Sequence, residues 1–281
     1  MDNSLKLPKG LRGFVVSDGE RIYYETYGQG HVIVFTHGLG GNHAIWYQQI
    51  PEFARSFRVV TWDQRGFGRS SNEANNAGPD TGVSDLTTLL DHLGVDQAHL
   101  VGQSMGGWVV LGFALQNPER TRTLVLGDTV AGVYTLPIEQ AFDDYARKAA
   151  SSPPPSQLPI GQHPALGEQL RRVNPAQAFL YEQIGEISGD PPKTIWPNFR
   201  NKAYSHEKLK RFCVPTLFVG GNEDPIFSPE IVREAASIIP GSHVKIISNT
   251  GHSPYFEAPD RWNIAVIEFL ESSTAKHEKK R

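Results

Sequence analysis

The stretch LVGQSMGGWVV, residues 100–110, places a serine between glycines at the end of an apolar run. Ser104 lies two residues after Gly102 and two before Gly106, in the spacing Gly-x-Ser-x-Gly. A strand-like segment precedes the serine and a helix-like segment follows it, so the chain turns sharply at Ser104. Side chains at the two glycine positions would collide with the neighbouring strand and helix. The stretch predicts an exposed, nucleophilic hydroxyl; the alternative is a tight turn with a structural serine.

The composition of the chain is that of an ordinary globular protein. Its 281 residues are 39% apolar and 20% charged, which suits one large domain or a core with an inserted subdomain. The net charge of −3 gives no reason to expect nucleic acid or an anionic membrane as a partner. The single cysteine, Cys213, excludes an intramolecular disulfide, and no Cys/His cluster has zinc-site spacing.

The apolar residues of the chain give an expectation about its location, with export by an unusual route as the alternative to the cytoplasm. Residues 1–13 lack the apolar stretch of a signal peptide, and no run approaches the roughly 18 apolar residues of a membrane span. We therefore expect a cytoplasmic protein. The basic residues 276–281 are expected to form a solvated, frayed terminus.

Short β-branched runs alternate with longer helical patterns along the chain. This alternation predicts an α/β fold, with an eight-stranded, mostly parallel sheet flanked by helices. The strand candidates are residues 14–16, 21–27, 31–36, 57–62, 98–102, 123–128, 216–221 and 243–248. The helix candidates are residues 43–55, 80–93, 105–117, 229–238 and 259–271. The pair Asp18-Gly19 is a hairpin signal, so we expect the sheet to open with an antiparallel pair.

The stretch from residue 130 to residue 212 breaks this alternation. It contains helical fragments and proline-rich breaks but no convincing strand. A structureless loop of this length is improbable in a compact domain. We therefore predict a helical cap subdomain over 130–212, inserted into a core that comprises 1–129 and 213–281.

A serine hydroxyl needs a base and an acid before it can act as a nucleophile. His252 lies in a loop after the last strand candidate and is the preferred base. Asp224 follows a buried strand and is the preferred acid, with Glu223 beside it a weaker substitute. Asp128, at the end of the strand candidate 123–128, is a rival acid because it too follows a strand. Either carboxylate could instead cap a turn or a helix.

The glycine-rich segment THGLGG, residues 36–41, follows the third strand candidate. Its backbone can approach a substrate closely, and we expect the N–H groups of Leu39 and Met105 to form an oxyanion hole. His37 in this segment suits a loop-shaping role, although it also stays a candidate substrate contact. His43 could line the pocket. Because the segment lacks the Gly-x-x-x-x-Gly-Lys pattern, phosphate binding is disfavoured.

Five segments together resemble motifs of the α/β-hydrolase superfamily, in the order in which that family carries them. They are HGLGG (37–41), DQRGFGRS (63–70), GQSMGG (102–107), GNEDPI (221–226) and GHSPYFEAP (251–259). The resemblance spans the chain outside the 130–212 insertion. It implies Ser104 as nucleophile, His252 as base, Asp224 as acid and a helical cap over the pocket.

The residue types within these motifs narrow the chemistry. Dehalogenases and epoxide hydrolases of the family carry aspartate where this chain has Ser104, so both activities are disfavoured. The cap-bearing pattern is similar to esterases, enol-lactonases and carbon–carbon bond hydrolases. The last group usually has asparagine before the serine, where this chain has Gln103. We therefore expect ester or lactone cleavage, with carbon–carbon cleavage (a meta-cleavage product or β-diketone) as the alternative and a hormone-receptor-like binding protein as a third.

Aromatic residues of the insertion are candidate contacts for a small or medium hydrophobic substrate. Phe142, Tyr145 and Trp196 are the ones we select, with packing of the insertion on the core as the alternative for each. The resemblance implies no metal and no organic cofactor. The expected partner is a small-molecule substrate, and a homodimer is compatible with the sequence.

Overall fold

A computed structural model describes residues 10–153 and 157–278, with side chains described up to Ser273. The expectations for residues 1–9 and for the last three residues of the basic end therefore lie outside the described residues. None of the described helices combines the length and the apolarity that crossing a lipid bilayer requires.

The fold is built on one eight-stranded sheet. The strands are Leu11–Ser17 (β1), Glu20–Tyr27 (β2), His31–Thr36 (β3), Phe57–Trp62 (β4), Ala98–Gln103 (β5), Thr121–Gly127 (β6), Thr216–Gly221 (β7) and His243–Ile247 (β8). Their order across the sheet is β1-β2-β4-β3-β5-β6-β7-β8. β2 pairs antiparallel with β1 and β4, and every other pair is parallel. The predicted α/β architecture is confirmed.

Helices cover both faces of this sheet, and several of them lie in the part of the chain that connects β6 to β7. They are Ile50–Phe53 (α1), Pro79–His92 (α2), Met105–Gln116 (α3), Leu136–Ala150 (α4), Glu168–Val173 (α5), Pro175–Ile187 (α6), Ile195–Arg200 (α7), His206–Lys210 (α8), Pro229–Ile238 (α9), Pro254–Glu257 (α10) and Pro259–Glu278 (α11). One apolar core lies under α2, α3 and α9, and a second lies under α1 and α11. Central strands such as β5 and β7 are buried along their whole length, as strands covered on both faces must be.

Three predicted elements differ clearly from the observed ones. The last helix, predicted over 259–271, is α11 and runs to Glu278, so it includes the first residues of the basic end that was expected to be frayed. The helix expected over 43–55 is a 3₁₀ turn, His43–Trp46, followed by the single-turn α1. The Asn42 side chain caps the 3₁₀ turn, and Pro51, at the start of α1, donates no backbone N–H to a longer helix. The first strand is longer than the predicted 14–16, because each residue of β1 pairs with β2 across the Asp18-Gly19 turn.

Helices α4 to α8 make up the insertion between β6 and β7, which we call the insert. In its described part, residues 130–153 and 157–212, the insert contains no strand. Its helical character is as expected, whereas its division from the core as a separate subdomain stays a prediction. The insert contacts the edge of the sheet at the carboxyl ends of the parallel strands, where Ser104, Asp224 and His252 lie.

Candidate active site

Ser104 forms the sharp turn between β5 and α3. Its backbone has φ +47° and ψ −119°, a left-handed conformation that a residue with a side chain adopts only under strain. A Cβ atom on Gly102 would lie 2.5 Å from the Gly106 carbonyl oxygen, and one on Gly106 would lie 2.4 Å from the Thr36 carbonyl oxygen. The two glycines are therefore required for the close contact of strand, turn and helix.

His252 and Asp224 lie beside this serine. The Nε2 atom of His252 is 2.9 Å from Ser104 Oγ, and its Nδ1 atom is 2.8 Å from Asp224 Oδ2. Nδ1–H donates to the carboxylate, which leaves Nε2 free to accept the serine proton. The structure thus brings together the three predicted side chains from segments far apart in the chain.

Backbone N–H groups fix the carboxylate of Asp224. Its Oδ1 atom accepts hydrogen bonds from Ile226 N at 2.8 Å and Phe227 N at 3.0 Å. The ring of Phe227 lies 5.7 Å from the His252 ring and limits its movement. One oxygen of Asp224 is thereby anchored while the other faces the imidazole.

The backbone of His252 is held from two sides. Its N–H donates to the carbonyl oxygen of Ala165 in the insert at 2.6 Å. Its carbonyl oxygen accepts a hydrogen bond from Gln103 Nε2 at 3.0 Å. The insert and the residue before Ser104 therefore both position the histidine, a role that the sequence did not reveal.

Glu257 is a third positioning group that sequence reasoning missed. Its carboxylate accepts hydrogen bonds from Gly251 N at 2.9 Å and Ser253 N at 3.2 Å, the residues on either side of His252. It also accepts one from Gly167 N of the insert at 2.8 Å. Burial raises the pKa of Glu257 to about 7, although these N–H groups act in the opposite direction. The sequence signal that could have identified Glu257 is its place in the segment GHSPYFEAP, five residues after His252.

The insert residues His163–Glu168, which we call the strap, run against the loop that carries His252. A Cβ atom on Gly251 would lie 2.5 Å from the Ala165 carbonyl oxygen, so the two backbones are in direct contact. Glu223 accepts a hydrogen bond from Glu168 N at 2.9 Å. Glu223 thus holds the strap, and the structure gives it no contact with His252.

The rival acid Asp128 is also close to the site. It follows β6, is completely buried, and accepts a hydrogen bond from Gly221 N at 2.9 Å. Burial, followed by the charge of Asp224, raises its pKa well above the usual value. His252 Nδ1 is hydrogen-bonded to Asp224 and not to Asp128.

The glycine-rich loop after β3 lies directly against the serine turn. A Cβ atom on Gly38 would lie 3.1 Å from Ser104 Cβ, and Leu39 is 44% exposed. Met105 is the first residue of α3, where backbone N–H groups have no partner within the helix. A cavity of about 810 Å³ lies between this loop, Gln103 and the insert residue Tyr181.

The two histidines proposed as substrate contacts have other partners. His37 is completely buried, donates from Nδ1 to the Gly38 carbonyl oxygen at 2.7 Å, and accepts at Nε2 from Gln64 N at 3.0 Å. Burial lowers its pKa to about 4. His43 bonds through Nδ1 to Asp63 at 2.7 Å. Both ring nitrogens of His37 and the Nδ1 atom of His43 are used in contacts that position the loop, and a substrate contact for either residue stays a prediction.

Packing accounts for two of the three aromatic candidates. Phe142 is 5% exposed and its ring lies against those of Trp196 and Phe227. The Trp196 ring also lies 6.5 Å from that of Trp108 in α3. Tyr145 is half-buried, and burial, followed by the charge of Asp224, raises its pKa.

Known proteins resemble the chain over most of its length. A family model described as the alpha/beta hydrolase fold matches residues 31–259. The 3-oxoadipate enol-lactonase 2 of Acinetobacter baylyi is 28% identical, with 86% of this chain and 90% of that protein covered. The 2-hydroxymuconate semialdehyde hydrolase of Pseudomonas sp. is 27% identical, with 93% and 94% covered. The structure of a thermophilic esterase from Thermogutta terrifontis gives a TM-score of 0.77 at 28% identity, with 94% and 99% covered.

Proposed function

The chain belongs to the alpha/beta hydrolase family, and on that basis we propose that it is a serine hydrolase of small or medium hydrophobic carboxylic esters or lactones. The observation that carries the proposal is the chain of contacts Ser104 Oγ–His252 Nε2 at 2.9 Å and His252 Nδ1–Asp224 at 2.8 Å. Acyl transfer needs a nucleophile, a base and an acid in this sequence of contacts.

In the first half-reaction the Ser104 hydroxyl attacks the substrate carbonyl while its proton moves to His252 Nε2. The negative charge of Asp224 stabilises the imidazolium that forms. The N–H groups of Leu39 and Met105 bind the oxyanion, and each is expected to contribute roughly 2.7–4 kcal/mol to transition-state stabilisation. His252 then gives its proton to the leaving alcohol, and Ser104 carries the acyl group.

The second half-reaction releases the acid. A water molecule loses a proton to His252 Nε2 and attacks the acyl-enzyme carbonyl, with the same two N–H groups binding the oxyanion. Return of the proton to Ser104 Oγ regenerates the enzyme. Apart from the substrate, this scheme uses only water and the side-chain and backbone groups of this chain.

The insert is proposed as a cap over the substrate. The cavity beside the glycine-rich loop combines apolar side chains, Leu39 and Ile45, with the aromatic rings of Tyr181 and Tyr255. Such a lining suits a hydrophobic acyl or alcohol group. We propose a cytoplasmic enzyme that acts on a small-molecule substrate.

Replacement of the nucleophile tests this proposal. Ser104→Ala is expected to lower kcat/KM for p-nitrophenyl esters by at least about 10⁴-fold and to abolish labelling by a fluorophosphonate. The exposed Ser205 before α8 supplies the matched control, since Ser205→Ala is expected to retain both. Labelling that persists in Ser104→Ala would place the nucleophile elsewhere.

Carbon–carbon cleavage is the second candidate, because a semialdehyde hydrolase is among the similar proteins. A matched panel of neutral esters, lactones and dienoate ketones separates the two reactions. We expect kcat/KM to be highest for an ester or a lactone, with all turnover lost in Ser104→Ala. A higher kcat/KM for the dienoate ketones would favour carbon–carbon hydrolysis over ester hydrolysis as the function of this protein. Saturable binding without turnover of any of them would favour a binding protein.

A further inference from the structure

Asp128 is a buried carboxyl group without a structural explanation. It follows β6 in a left-handed conformation, with φ +46°, and its N–H donates to the Val219 carbonyl oxygen at 2.7 Å. One carboxyl oxygen, Oδ1, accepts a hydrogen bond from Gly221 N at 2.9 Å. The other, Oδ2, is buried and has no hydrogen-bond partner. A turn needs only the backbone hydrogen bond from Asp128 N–H to the Val219 carbonyl oxygen.

The unpartnered oxygen makes Asp128 costly to the fold. An ionised carboxylate in a fully buried site destabilises a protein by several kcal/mol unless it is paired. Asp128 forms no ion pair with the described residues, and its burial, followed by the charge of Asp224, raises its pKa well above the usual value, which favours the protonated form. Buried titratable groups that pay such a cost occur most often at functional sites.

The position of Asp128 relative to His252 indicates what the group can do. An oxygen of Asp128, an oxygen of Asp224 and a ring nitrogen of His252 all lie within 4.8 Å of one another. This follows from the sheet, because β6 and β7 are neighbours and Gly127 pairs with Val219. Two carboxyl groups from adjacent strand ends therefore converge on one imidazole.

We propose that Asp128 is a second positioning acid for His252, so that the two carboxyl groups form a pair that carries a single negative charge. This inference rests on the proposed function. In the resting pair we place the proton on Asp128, whose pKa is raised by burial and by the charge of Asp224, since two carboxylates this close do not both ionise readily. When residue 224 carries no charge, Asp128 releases its proton to water and its carboxylate accepts the Nδ1–H of His252.

The groups around Asp128 set the direction of its titration. Asp224 and Glu257 are the acids whose charges raise the pKa of Asp128. Tyr181 and Tyr255 are neutral at physiological pH, and burial raises their pKa values further. Removal of the Asp224 charge therefore lowers the pKa of Asp128 and makes its ionisation easier.

Four proteins test the pair: the wild type, Asp224→Asn, Asp128→Asn and the double variant, each assayed for ester kcat/KM. A histidine that loses its acid typically costs about 10⁴-fold, and we expect that loss only in the double variant. Asp224→Asn is expected to lose about 10- to 100-fold, because Asp128 replaces part of the lost charge. Asp128→Asn is expected to lose a few-fold, since Asp224 keeps its hydrogen bond to His252 Nδ1.

The pH profile supplies a readout that a structural role would not change. In Asp224→Asn, kcat/KM is expected to show a rising limb as Asp128 ionises, in addition to the one that a histidine base gives to all four proteins, and this additional limb is expected to be absent from the double variant. The asparagine at 224 keeps the oxygen that accepts from the Ile226 and Phe227 N–H groups. If that variant nevertheless unfolds, Asp224→Ser in both backgrounds replaces it, with circular dichroism as the check on folding.

Two results would overturn the inference. Equal kcat/KM in Asp224→Asn and in the double variant would mean that Asp128 does not support His252. A collapse of activity in Asp128→Asn with Asp224→Asn little affected would make Asp128 the principal acid. Neither result concerns the nucleophile, so a failure of the proposed function is recognised separately, by labelling that persists in Ser104→Ala.

Discussion

The insert contacts the core in two ways that differ in chemistry. On the α3 side the contact is an aromatic cluster, Phe142, Trp196 and Phe199 of the insert against Trp108 and Phe227 of the core. On the His252 side the strap makes hydrogen bonds to backbone groups and to two carboxylates. Apolar burial is insensitive to pH, whereas carboxylate contacts are not. We infer that the aromatic cluster supplies most of the stability and the strap sets the geometry of the site.

The largest effect is expected from the aromatic cluster. Phe199 is 1% exposed and its ring lies 6.2 Å from that of Trp108. Phe199→Ala is expected to lower the free energy of unfolding by about 3–5 kcal/mol, because it leaves a cavity in the packed cluster. Urea unfolding measures the change, and Phe179→Ala is the control because Phe179 is 40% exposed. Similar losses in the two variants would contradict the assignment of stability to this cluster.

The strap is expected to make stability depend on pH through Glu257. Its pKa is about 7 in the folded protein and 4.5 as the ordinary value, so the folded state binds this proton more tightly. The stability contribution of Glu257 therefore falls as pH rises from about 4.5 to about 7 and stays constant above that. Relative to the wild type, Glu257→Gln is expected to gain up to about 3 kcal/mol over this range.

Unfolding curves at several pH values measure this difference. The comparison of the two proteins is necessary because the buried His37 and His99 and the half-buried His163, whose pKa values are lowered to about 4, destabilise the fold as pH falls below about 6.5. These histidines are present in both proteins and cancel. If the free energies of unfolding of the two proteins changed in parallel from pH 4.5 to pH 8, Glu257 would not be the pH-sensitive contact of the strap.

The smallest effect is expected from the ion pair between the insert and α2. Lys202 Nζ lies 2.5 Å from Asp80 Oδ1, but the Asp80 side chain is 71% exposed. Solvent screens such pairs, so Asp80→Asn is expected to change the free energy of unfolding by less than about 1 kcal/mol. A loss comparable with that in Phe199→Ala would mean that charge, rather than aromatic packing, attaches this side of the insert.

Sequence reasoning predicted the residues that follow directly from strand ends. Ser104, Asp224 and the loop of His252 each follow a parallel strand, and the carboxyl ends of parallel strands meet at one edge of the sheet. The preference for Asp224 over Asp128 as the partner of His252 agrees with the 2.8 Å contact. Catalysis by these residues stays a prediction until the variants are assayed.

What the sequence could not supply depends on contacts between distant segments. The bond between His43 and Asp63 and the strap contacts of Glu257 join groups whose separation leaves no periodic pattern. The aromatic residues Phe142 and Trp196 illustrate the same limit. Aromatic side chains suit a substrate pocket and a packed cluster equally, and only the three-dimensional arrangement distinguishes these two roles.

The hydrogen bond from His252 N to the Ala165 carbonyl oxygen has a consequence for protein engineering. A chimaera that exchanged the whole of residues 130–212 for the equivalent segment of another enzyme would replace Ala165, whose carbonyl oxygen supports the His252 backbone. Grafts confined to α4 and α7 would leave that support in place. Libraries intended to alter selectivity should therefore retain 163–168 unchanged, together with Phe142, Trp196 and Phe199 of the aromatic cluster.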